Sequence, residues 1–187
     1  PDVLAAVSKR ENAQTVIGAY RQLDQPLEAL DPAQSRLWVA LEGVRDPGNL
    51  GTIARTADAA GVGGEIQIWQ TCDPFSLEAV RASMGSIFAV PLARSGFEGF
   101  DAWRRGAGLS MLGASLKGDQ RHDAPAIAGG VVLLMGNEQS GLPMEMEIAC
   151  DALVKIPMRG RADSLYLAVS TAVLIYDVWR RQGYEGA

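Results

Sequence analysis

The chain has 187 residues, of which 48% are hydrophobic and 21% charged, a globular balance with length for one α/β core and a small appendage. Its net charge of −5 argues against nucleic-acid binding over the whole surface, because phosphate neutralisation needs clustered Lys or Arg, but it leaves room for a local basic patch. No apolar run approaches the roughly 20 residues of a membrane helix and the opening lacks a signal-peptide pattern, so a soluble cytoplasmic protein without a membrane partner is expected.

Residues 1–35 hold a short apolar stretch at 15–20, then Pro26 and Pro32 in a polar context. They read as a linker or the remnant of an N-terminal accessory segment, and the opening at Pro1 reads as the end of something longer. Residues 36–187 form the main domain. Residues 37–41 are a buried-strand run, Asp46-Pro47-Gly48 is turn chemistry, and Asn49, as N-cap, opens an Ala-rich helix that ends at Gly61. Strand 65–69, helix 76–84, strand 88–92, helix 99–105, strands 109–114 and 131–135, helix 143–150 and strand 152–156 follow. Strands alternating with helices predict a mostly parallel sheet with helices on both faces.

The last predicted helix runs from Ser164, its candidate N-cap, to about residue 182. It is apolar on almost every side, including Leu165, Val169, Val173, Tyr176 and Trp179. A terminal helix on a small sheet buries one face within its own chain, so the other predicts a subunit interface.

Cys72 and Cys150 share no metal-ligand spacing and read as free buried thiols, while the single histidine, His122, lies in a polar stretch and reads as a solvated loop residue. A zinc site or a Ser/His/Asp triad would lack ligands or a placed base.

Three stretches carry the chemistry: 49–55, 135–141, and 156–160 running on to Ser164 and Leu165. Each follows a strand-like run, and in open α/β sheets ligands gather outside the carboxyl ends of the strands. Gly48, Gly51, Gly136, Gly141 and Gly160 allow close backbone approach to a ligand. The Gly136 segment is neither a Walker A loop nor a complete Gly-x-Gly-x-x-Gly fingerprint. Arg55 stands in a small, apolar helical run, where a salt bridge and a catalytic cleft are both open readings. Glu138 is placed to pair with an arginine or hold a polar ligand group.

These segments resemble the SpoU-type (TrmH-like) RNA ribose 2′-O-methyltransferases of the SPOUT superfamily, over about residues 36–182. The pattern Asn-x-Gly-x-x-x-Arg-Thr-Ala is matched by Asn49, Gly51, Arg55, Thr56 and Ala57. Gly-Asn-Glu-x-x-Gly-Leu is matched by Gly136, Asn137, Glu138, Gly141 and Leu142, and Ile-Pro-Met-x-Gly followed by Ser-Leu-Asn by Ile156, Pro157, Met158, Gly160, Ser164 and Leu165. Tyr166 stands where the family usually carries asparagine.

The resemblance implies a SPOUT-type fold with a C-terminal trefoil knot, a homodimer packed through the last helix, and methyl transfer from S-adenosylmethionine to a ribose 2′-hydroxyl of tRNA or rRNA without a metal. It implies a cofactor site of Leu134, Met135, Gly136, Asn137, Gly141, Ile156, Pro157, Met158, Ser164 and Leu165. Arg55 is the expected catalytic group, supported by Asn49, Glu138 and Ser164. Arg45, Arg55, Arg81, Lys117, Arg159 and Arg161 are the candidates for RNA contact. A relative that binds RNA or the ribosome but has lost turnover through Tyr166, and a doubly wound dinucleotide oxidoreductase, are the competing expectations.

Overall fold

The structure, a computed structural model, describes residues 21–186 together with Ala6 and Gly18. The rest of the stretch at 15–20 lies outside the described residues. Eight strands, β1 (Asp24–Pro26), β2 (Leu37–Glu42), β3 (Glu65–Ile68), β4 (Leu92–Ser95), β5 (Ser110–Ala114), β6 (Gln120–Arg121), β7 (Val131–Met135) and β8 (Ala152–Lys155), form one sheet in the order β1-β4-β3-β2-β7-β5-β8-β6. Every pairing is parallel. Among the described residues five α-helices accompany them, four between strands and the last after β8: α1 (Pro47–Ala59), α2 (Leu77–Ser83), α3 (Phe97–Gly106), α4 (Met144–Ala149) and α5 (Leu167–Arg181).

Both faces of the central strands are buried, as parallel sheets require. Leu37, Val39 and Leu41 of β2 join one apolar cluster with Leu50 and Ile53 of α1 and Leu174, Ile175 and Val178 of α5. Trp38 and Ala40 face the other cluster, with Phe100 of α3 and Met146 of α4. Period-two alternation thus sends successive residues of one apolar run to opposite layers.

Several elements depart from the sequence reading. Residues 24–34, taken there as linker, carry the edge strand β1, paired with β4 through Gln25 opposite Ala93, and bury Leu27 and Leu30. Pro26 is tolerated because an outermost strand has no ladder bond to lose on its free side. The apolar run at 88–92 is not a strand: Ser86–Phe88 is a 3-10 turn and the strand begins at Leu92. Ile87 and Val90 are buried from a turn, so their apolarity reports burial, not extension. Helix α1 is capped by Asp46, whose Oδ1 accepts from the amides of Gly48 (2.7 Å) and Asn49 (3.3 Å), with Pro47 in the first turn; Asn49 is therefore not the cap. Helix α5 begins three residues after Ser164, which bonds to Asp163 Oδ1 at 3.2 Å instead of capping it.

Two arginines, Arg104 buried and Arg181 partly buried, hold the frame of the site. Arg104 reaches Asp101 (2.7 Å), Asp151 (2.9 Å) and the Ala149 carbonyl (2.9 Å), fixing the entry to β8. Arg181 pairs with Asp177 at 2.9 Å and donates to the carbonyls of Pro125 and His122, tying α5 to the segment before β7. His122 is partly buried there, not a solvated loop residue.

Candidate active site

The carboxyl ends of β5, β7 and β8 open onto a cleft of about 810 Å3, which the start of α1 and the first turns of α5 also border. The loop after β7 forms one wall. Gly141 takes a left-handed backbone (φ +70°), its amide bonds the Asn137 carbonyl at 2.9 Å, and a Cβ on Gly136 would lie 2.5 Å from the Gly141 carbonyl carbon. The loop folds back on itself so tightly that only glycine fits at 136.

Asn137 holds that shape. Its Oδ1 accepts from the amides of Gln139 (2.9 Å) and Ser140 (3.1 Å), and its Nδ2 donates to the Gly43 carbonyl at 2.7 Å. The side chain is thus engaged in joining the β7 loop to the β2 loop. Glu138 makes a second joint: its Oε1 accepts from Asn49 Nδ2 at 3.3 Å and its Oε2 from the Arg45 amide at 3.5 Å. It pairs with no arginine side chain among the described residues. Because Asp46 satisfies the helix start, the Asn49 side chain is available to Glu138.

Of the residues singled out from sequence, Asn49, Met135, Gly136, Asn137, Glu138, Gly141, Ile156, Met158, Ser164, Leu165 and Lys117 line this cleft. Leu134 is fully buried within β7, and Pro157 is exposed outside the lining. Arg55 lies six residues along α1 from Asn49, exposed and with no ion pair among the described residues. Its charge is not buried, so it needs no partner for stability. Arg81 borders a second, smaller hollow with Gly48 and Glu78, and Arg45, Arg159 and Arg161 are exposed. Gly51 plays a different part from the one expected: a Cβ there would collide with the Ala79 carbonyl, so it serves the packing of α1 on α2.

Apart from Lys117, the sequence reading missed the loop after β5 as part of the cleft, with Glu147 and the α5 residues Val169, Ser170 and Leu174. Glu147 accepts from Ser115 Oγ at 2.9 Å, which ties α4 to the β5 loop. The small residues after strand 109–114 were the available signal, since a glycine- and serine-bearing turn at a strand's carboxyl end matches the other two loops.

Burial pushes the Cys72 thiol up to about 11, with the Glu138 charge adding to it, and the Cys150 thiol up to about 12. Neither is a thiolate at neutral pH, so neither is a ready nucleophile. Burial also raises the Glu42 carboxyl above its usual range, against a hydrogen bond from the Asn137 amide and the nearby Arg45 charge. Among the described residues no group of His, Cys, Asp or Glu is arranged to hold a metal, and no helix is long and apolar enough to cross a membrane.

The chain is 47% identical to an AdoMet-bound rRNA methyltransferase from Sinorhizobium meliloti, with a TM-score of 0.92 over 96% of this chain and 69% of that one. The AdoMet complex of the SpoU methyltransferase AviRb from Streptomyces viridochromogenes superposes with a TM-score of 0.76 at 32% identity, over 83% of this chain and 61% of that one. The 23S rRNA (guanosine(2553)-2'-O)-methyltransferase RlmP of Bacillus subtilis is 29% identical over 94% of this chain, which spans 68% of that protein. A 23S rRNA (uridine(2479)-2'-O)-methyltransferase of Streptomyces viridochromogenes is 33% identical over 97% of this chain and 66% of its own length. The model of the SpoU rRNA methylase family matches residues 36–176. With the parallel sheet and the three loops at its carboxyl edge, this places the chain in the SpoU rRNA methylase family.

Proposed function

We propose that this chain is an S-adenosylmethionine-dependent RNA methyltransferase that modifies a ribose 2′-hydroxyl of rRNA or tRNA. The observation that carries the reading is the convergence of the loops after β7 and β8 and the start of α1 on one cleft, with Asn49 bonded to Glu138 at its rim. The family relatives named above support the reaction and the cofactor.

The cleft suits the cofactor. Its volume falls in the range of small-molecule sites, Gly136 leaves room where any side chain would collide, and Met135, Ile156, Leu165 and Leu174 offer apolar contact for a base. Glu138 and Glu147 put carboxylates around a ligand that carries a positive sulfonium. When bound, S-adenosylmethionine would supply an electrophilic methyl group to the ribose oxygen, the methyl–sulfur bond breaking as the methyl–oxygen bond forms. Arg55 stabilises negative charge developing on that oxygen or on the adjacent phosphate, since a guanidinium stays protonated and acts more readily as an electrostatic partner than as a base. Asn49 and Glu138 position the ribose, and Ser164 supports the loop after β8. Arg45, Lys117, Arg159 and Arg161 contact phosphates, with Arg81 beside the second hollow.

The same reading carries a trefoil knot at the C-terminal end and a homodimer through α5. Val169, Val173 and Tyr176, spaced four and three residues apart, leave one face of that helix apolar and exposed. The test is methyl transfer from labelled cofactor to bulk rRNA and tRNA, with mass-spectrometric mapping of the modified ribose. Ribose label lost with Arg55→Ala supports the reading; an absence of transfer together with an absence of cofactor binding removes it.

A further inference from the structure

Trp69 follows β3 on the carboxyl edge of the sheet, two strands away from β7. Neighbouring strands are about 4.8 Å apart, so this turn stands about 10 Å from the end of β7 and its cleft loop. It is stitched to the turn that leads into α1: the Gly43 amide donates to the Ile68 carbonyl at 3.5 Å and the Cys72 amide to the Val44 carbonyl at 2.7 Å. The Trp69 amide bonds the Ser95 carbonyl at 3.4 Å, and the Thr71 hydroxyl donates to Gln67 Oε1 at 2.8 Å. The backbone is therefore held on both sides of the ring.

Here the chain takes φ +59°, a conformation natural to glycine and rare for a bulky residue. The indole is 60% exposed and forms no aromatic pair among the described residues. Neither the core nor the turn calls for tryptophan. What the position provides is a broad, exposed π face on the same carboxyl edge of the sheet as the proposed site of methyl transfer.

The geometry points to Trp69 as a stacking platform for an unpaired nucleobase next to the target ribose, an assignment that rests on the RNA methyltransferase reading above. Stacking reads the face common to every base and needs no basic surface, which suits a chain with a net charge of −5. Arg45, on the adjoining turn, is exposed and leaves a guanidinium available to a phosphate next to the stacked base.

The test uses the full chain, a labelled mixed-sequence single-stranded RNA of about ten nucleotides, and a ribose-phosphate oligomer of equal length without bases. Trp69→Gly is expected to weaken RNA binding about tenfold and Trp69→Phe to recover most of it. Both variants keep wild-type affinity for S-adenosylmethionine and for the baseless oligomer. Trp69→Gly also unfolds at an equal or higher temperature, because glycine suits that backbone. Unchanged RNA binding by Trp69→Gly, in a protein whose wild type binds and methylates RNA, overturns the assignment alone, as does a loss explained by a change in sedimenting mass. A wild type that binds neither RNA nor cofactor removes the methyltransferase reading and this assignment with it.

Discussion

Asn49 and Glu138, 89 residues apart in sequence, meet through a 3.3 Å hydrogen bond that joins the start of α1 to the loop after β7. The bond spans the boundary between the proposed cofactor cleft and the proposed position of the ribose. Asn49→Ala removes the donor and leaves Glu138 held only by the Arg45 amide. Methyl transfer is expected to fall about tenfold to a hundredfold through lost positioning, with S-adenosylmethionine affinity changed less than threefold or so. Steady-state kinetics and calorimetry on one preparation check both halves.

Arg55 offers a separation of activity from stability. Exposed and unpaired among the described residues, it can be replaced by Ala within about 0.5 kcal/mol of wild-type stability. Loss of a charge stabiliser at the reacting oxygen costs on the order of 10²–10³ in rate. Urea unfolding and the methyl-transfer assay, run side by side, are expected to give no change in the first and a collapse in the second.

Tyr166, 83% exposed at the head of α5 and on the cleft wall, distinguishes an active enzyme from a silent relative. The expected outcome is measurable transfer by the wild type and a change of no more than about tenfold in Tyr166→Asn, because a hydroxyl on a ring and a short amide both offer hydrogen bonds at different reach. Transfer found only in the variant would favour a chain that binds RNA without turnover.

Glu65 gives a pH dependence of stability. It is fully buried on β3, its Oε1 accepting from Gln67 at 3.3 Å, and burial pushes its carboxyl from 4.5 up to about 7. A raised value means the native state holds its proton where the unfolded chain has lost it. The full stability is present below pH 4.5, declines as pH rises from there to 7, and stays lower above, by on the order of 3 kcal/mol. Glu65→Gln is expected to unfold later in urea than wild type at pH 8 and to lose that advantage at pH 4.5.

Gly136→Ala tests the tight fold of the β7 loop. A methyl 2.5 Å from the Gly141 carbonyl carbon forces the two arms of the loop apart. A cost of about 1–3 kcal/mol is expected, together with loss of S-adenosylmethionine binding by calorimetry, while Gly61→Ala, with open space around its Cβ, shows only the backbone cost of its positive φ.

The residues that define the cleft were legible because backbone geometry forces their identity. Gly136 and Gly141 follow an uninterrupted apolar strand, and a tight return of the chain leaves little choice of side chain there. Asn49 reads as a helix cap on local grounds and as a site residue on its motif, and the cap belongs to Asp46 three residues earlier; a capping residue and a third-position residue look alike when both are small and polar. The edge strand β1 was illegible because three residues with a proline have no period to detect. Leu174 and Val169 of α5 reach the cleft only after the chain returns across the sheet, which no local pattern encodes. Trp69 belongs to the same class: its apolarity extended the β3 run by one residue, whereas its φ of +59° ends it.

The family-matched span begins at residue 36, yet Gln25 and its neighbours cover the outer side of β4. A protein trimmed to that span would leave the amide and carbonyl row of β4 open, along with the hollow vacated by Leu27 and Leu30. Bare hydrogen-bonding rims of this kind recruit strands from other molecules. Shortening the chain to its recognisable part would therefore yield a sticky protein, whose poor solubility would say nothing about its catalysis.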